Sequence, residues 1–118
     1  MTFPPPAKWP YEKIVKSFKE NDIDRTFVCI DHPEFHSAMK FLKKNNICVD
    51  NFHAPFREIN RIWSEERDGD ELLKTYLDCV DICVKYDVPL LIAHVSSGRP
   101  MPPVNSCGIA RIGKLISY

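Results

Sequence analysis

Three short apolar runs alternate along this chain with segments of helical periodicity, and that alternation constrains its fold more than any other feature. The runs are TFVCI (26–30), ICVDNFH (47–53) and PLLIAHV (89–95). They are rich in β-branched and aromatic residues and predict strands. Ahead of the first, Tyr11, Ile14, Val15 and Phe18 repeat at i, i+3, i+4 and i+7, which predicts a helix over 10–20. Phe35, Ala38, Met39 and Leu42 repeat the pattern after His32-Pro33, where proline suits a first helical turn. Leu73, Tyr76, Leu77, Val80, Cys83 and Val84 predict a third helix over 70–86, capped by Asp68 or Asp70. Ile109, Ile112, Leu115 and Ile116 predict a fourth from Gly108 onward.

The resulting order, αβαβαβα, implies parallel strands joined by right-handed crossovers. Near-continuous apolar strands fit a sheet whose strands are covered on both faces. Helix-to-strand links are short. Two strand-to-helix links, 54–69 and 96–107, are long and polar, and they contain proline. Ligand sites form at the strands' C-terminal ends in closed β/α barrels and in open doubly wound sheets alike. The long loops therefore locate a site without choosing between those folds.

Charge is balanced, 16 basic against 16 acidic residues, so no basic surface points to nucleic acid. No apolar run approaches the ~20 residues of a membrane span. The start, 1–9, has three consecutive prolines, no apolar signal core and no evident strand, and is expected to be flexible. These features predict a single cytoplasmic domain. The five cysteines, Cys29, Cys48, Cys79, Cys83 and Cys107, read as buried free thiols, with Cys79 and Cys83 sharing a helical face.

The candidate catalytic and metal-ligating pair is His53 and His94. Each ends an apolar strand, and the two are separated by one strand-helix-strand unit. Neighbouring parallel strands place their tips ~5 Å apart, so both imidazoles could face one pocket. Asn51 shares a strand face with His53 by period two and is a candidate for binding a substrate hydroxyl. Asp50 also stands out as a polar residue inside an apolar strand. Arg57, Arg61, Arg99 and Arg111 lie on or near the long loops. Arg57 and Arg111 are the candidates for holding an anionic substrate group, Arg111 because it falls near a helix start. Asp31, at a strand tip, is a weaker candidate. His32 and His36 do not match a two-histidine helical metal motif, because the glutamate between them is misplaced.

The segment CVDNFHAPFREINRIW (48–63) resembles the strand-H-A-P-F-x-x-I-N-x-x-W stretch of the sugar phosphate isomerase/epimerase family, within the xylose-isomerase-like barrel superfamily. The strand-ending His94 and the later G-x-x-R, Gly108 to Arg111, resemble that family's next unit. The likeness covers roughly residues 24–118. It implies an incomplete parallel β/α (TIM-type) barrel of about three strands with alternating helices, since a whole barrel takes ~250 residues. It also implies a divalent metal (Mn, Mg, Co or Zn), incompletely ligated here, and a small sugar or sugar phosphate as substrate. The chain is then expected to be a fragment clipped at both ends, inactive alone and prone to self-association through open sheet edges. Two alternatives stand beside it: a fragment of an apurinic-site endonuclease-like phosphodiesterase, and a non-catalytic fragment that pairs with another chain.

Overall fold

The computed structural model describes residues 2–3, 10–98 and 100–118. Four parallel strands lie in the order β1-β2-β3-β4, which is also their order in sequence. They are β1 (Thr2–Phe3), β2 (Arg25–Cys29), β3 (Cys48–His53) and β4 (Leu91–Ile92). Each is followed by a helix: α1 (Tyr11–Glu20), α2 (Phe35–Lys44), α3 (Arg67–Tyr86) and α4 (Ser106–Ser117). The mixed α/β class with a parallel open sheet follows from the alternation in the sequence. β1 does not: a two-residue strand in a proline-rich segment has no periodicity to reveal it. Apart from that strand, the segment expected to be flexible lies outside the described residues.

The sheet has one covered face. Val28 of β2, Phe52 of β3 and Leu91 of β4 pack with Ile14 and Phe18 of α1, Ala38 and Leu42 of α2 and Cys83 of α3. A second cluster, around Ile59, Ile62, Leu72, Tyr76 and Cys79, takes in Ile112 and Leu115 of α4. Phe27, Cys29, Asn51 and His53 belong to neither cluster and are only half-buried. They occupy the opposite face, as strand alternation requires. The β2–β3 register shifts between Thr26 and Phe27, which pair with Val49 and Asn51. Asp50 is thus an extra residue, a β-bulge, and it leaves Val49 and Phe52 both on the helix side.

Several helix boundaries differ from expectation. The second helix begins at Phe35, because His32 and Pro33 sit in a turn where His32 Nδ1 accepts from the Glu34 N–H at 3.1 Å. α3 begins at Arg67, so Asp68 and Asp70 lie inside its first turn, near its positive end, and neither caps it. Its buried stripe runs through Leu72, Leu73, Tyr76, Cys79 and Cys83, while Val84 is exposed. α4 starts at Ser106 because the Asn105 side chain caps it, accepting from the Gly108 N–H at 2.9 Å. Ile109 and Ile116 of α4 are exposed; Ile112 and Leu115 are the pair that packs. The stops after α1, α2 and α3 use Asp22, Asn46 and Asp87 in the left-handed region, which Asn and Asp tolerate better than most residues.

Candidate functional site

β3 ends at His53, and His53 is in register with Ile92 of β4. His94 lies two residues further along the same face, so the two histidines are offset by a step of ~6.6 Å rather than level. Their rings still approach to 6.0 Å between centroids, tilted by 48°. Aromatic rings bracket the pair. Phe27 of β2 stacks on His53 at 4.4 Å, and Phe56 of the following loop meets His94 edge-on at 4.9 Å. Burial, and secondarily the neighbouring His94, hold the His53 imidazole below its ordinary range. At neutral pH His53 is an uncharged ring with a nitrogen lone pair, able to accept a proton or bind a metal.

The backbone beyond β4 is held by side chains instead of a neighbouring strand. The Tyr76 hydroxyl donates to the His94 carbonyl at 3.0 Å, and Trp63 Nε1 donates to the Val95 carbonyl at 2.6 Å. Asn60 closes a reciprocal pair with Ser97, donating to its carbonyl and accepting from its N–H, each at 2.8 Å. These contacts explain why regular pairing stops at Ile92 although the apolar run continues to Val95. They also fix the position of His94. Tyr76 and Asn60 are contributors that the sequence reading passed over; Tyr76 looked like one more apolar position on its helix.

Asn51 stands on the open face, on the same side as His53. Its Nδ2 donates to Asp50 at 2.7 Å, a contact between adjacent residues on the bulge. Its Oδ1 is buried and has no hydrogen-bond partner among the described residues. An acceptor left in that state is costly, by about 1–3 kcal/mol, and suits a hydroxyl donor arriving from outside.

The arginines divide. Arg57 is exposed on the loop after β3, beside Phe56, and forms no salt bridge among the described residues. Arg111 is buried and its guanidinium is already engaged. It pairs with Asp70 at 2.9 Å and donates to the carbonyls of Ile62 (2.9 Å), Ser64 and Glu66 (3.1 Å). A Cβ at Gly69 would collide with it. In this structure Arg111 clamps the β3–α3 connection to α4, so the reading of it as a substrate-binding residue gives way to a structural one. Arg61 is likewise taken up by Glu58, Asp68 and Glu71. Arg99 lies outside the described residues.

Against known protein families, curated proteins and solved structures, the chain matches none.

Trp63, Asn105, Gly108 and Arg111 form one interlock. Asn105 donates to the Trp63 carbonyl at 2.6 Å, and a Cβ at Gly108 would run into the Trp63 ring. Half of the motif is scaffold, and the histidines are the half that faces open space. His53 and His94 are the two imidazoles on this side of the sheet that could be offered to a divalent ion. Among the described residues no group of three or more metal-binding side chains gathers. Asp31 is exposed, and His36 shares a 2.6 Å hydrogen bond with Tyr86 on the helix side.

Proposed function

We propose that this chain is part of a β/α barrel of the sugar phosphate isomerase/epimerase kind, with the uncovered face of its sheet as the substrate side. The observation that carries this reading is the convergence of His53 and His94 at the C-terminal ends of adjoining parallel strands, 6.0 Å apart. The singly wound strand order, with the helix-packed side chains on one face, supports it. So does the unpartnered Asn51 acceptor, which suits a hydroxyl-rich ligand. The zero formal net charge favours a small substrate over a nucleic acid.

In this reading His53 and His94 are the chain's two donors to a divalent metal, and Asn51 accepts from a substrate hydroxyl. A bound metal would act as a Lewis acid on substrate oxygens. Burial first, and His94 second, hold the His53 pKa below its ordinary value, which favours the neutral ring that binds a cation. Arg57, exposed on the loop after β3, would meet an anionic group such as a phosphate.

The test is a histidine-detected NMR titration of the chain with Zn²⁺ and with Co²⁺. The expected result is that His53 and His94 respond together, at lower metal concentration than His32 and His36, and that His53→Ala abolishes the response at His94. An equal response at all four histidines, or none at the pair, would refute the assignment.

A further inference from the structure

If the open face belongs to a barrel interior, as proposed above, something must cover it, and the geometry points to a second copy of this chain. Two copies would close into one eight-stranded barrel, the free edge of β4 in each pairing in parallel with β1 of the other. The structure holds four strands, each followed by a helix. Eight is the number at which a parallel β/α sheet closes around an interior filled by side chains. Among the described residues, β1 and β4 are the two edges of the sheet, and each is paired there on one side only. A two-fold axis along the barrel keeps all strands pointing the same way. It creates two identical β4–β1 joints, leaves no free edge and cannot propagate.

The molecule's dimensions agree. It is a slab of 48 × 30 × 22 Å with a radius of gyration of 16.2 Å, against about 13.5 Å for a compact domain of this length. Its accessible surface is 7959 Å², where a compact monomer of its mass exposes about 6,600 Å². Two copies carry an excess of about 2,700 Å², within the ~2,000–5,000 Å² that permanent interfaces bury.

Closure would also answer the shortage of ligands. The second copy brings its own His53 and His94 to the same end of the barrel, so four imidazoles would line one mouth. Phe27, Cys29, Asn51 and Ile92, half-buried in the single chain, would fill the interior.

The experiment is native mass spectrometry with sedimentation equilibrium on the full chain across micromolar concentrations. The expected species is twice 13.7 kDa. Two variants locate the joint. By strand alternation the Ala93 N–H points to the free edge, because the carbonyl of Ile92 is the one that bonds back to β3, accepting from Ala54 at 2.9 Å. Ala93→Pro removes that donor at a position where an edge tolerates proline. Ile92→Lys puts a charge on the open face, harmless in a single slab and unpaired inside a closed barrel. Both should give monomers with unchanged far-UV circular dichroism. A stable wild-type monomer, open-ended oligomers, or a dimer indifferent to both variants would overturn the proposal. A dimer whose histidines ignore metal would keep this inference and refute the site reading.

Discussion

His53 shows how one position can carry both a structural cost and a chemical use. Its imidazole is pushed below the ordinary value of 6.5, first by burial and then by His94. Between that depressed value and 6.5 the unfolded chain binds more protons at this site than the folded one, so stability rises with pH through this window and falls as pH drops through it. The expected outcome is a loss of stability in denaturant titrations just below pH 6.5, with a shallower slope in His53→Gln. His94→Ala should raise the His53 pKa only part of the way, since burial is the larger cause; imidazole proton shifts measure this. A full return to the ordinary value would mean that charge, not desolvation, dominates. The thiols give a second prediction at this scale. Cys48 is exposed, whereas Cys79 is buried and pushed up to about 12 by burial, with Cys83 and nearby carboxylates adding to the rise. Iodoacetamide at pH 8 should label Cys48 in the folded chain and reach Cys79 only on unfolding. Mass mapping of alkylated peptides reports the order.

At the level of elements, the β3–α3 connection is an ordered piece of the core, with Ile59 and Ile62 fully buried and a short 3-10 helix over Ile59–Trp63. Arg111→Leu would orphan three carbonyls and release Asp70, a loss of about 3 kcal/mol. Arg111→Lys restores the charge without the fork and should recover only part of it. Gly108→Ala drives a methyl into the Trp63 ring and should cost about 1–3 kcal/mol. Urea unfolding followed by Trp fluorescence measures all three; a neutral Gly108→Ala would mean that Trp63 is free to move. The sequence made the helices and the two central strands legible because their apolar periods are set locally. The interlock of Trp63, Asn105 and Arg111 was not legible, since it joins positions more than 40 residues apart through side-chain hydrogen bonds to backbone. For the same reason Arg111 read as an anion binder: an arginine near a helix start looks the same in sequence whether it points outward or inward. His53 and His94 were found because strand ends can be read from where an apolar run stops. Their offset was not, because the run in β4 outlasts the pairing.

For the molecule as a whole, the decisive property is that, among the described residues, the helices cover the sheet on one face only. A slab with two free parallel edges and a half-exposed apolar face at Phe27, Cys29 and Ile92 buries less than a closed domain of its size. Any partner that covers that face stabilises the folded form by mass action. If the partner is a second copy, each tenfold rise in chain concentration shifts the two-state dimer equilibrium by about 1.4 kcal/mol. For a domain this small, that is several degrees in the thermal midpoint. The wild-type midpoint should therefore climb steadily from about 1 to 100 µM, an increase of roughly 2.7 kcal/mol. Ala93→Pro, which blocks the edge at a residue that packs against the second core cluster, and Ile92→Lys, whose side chain lies on the open face, should both melt lower and at the same temperature at every concentration. Scanning calorimetry or circular dichroism melts over that range decide it. A wild-type midpoint that does not move with concentration would mean that the slab is stable alone, and that its open face is covered by no copy of itself.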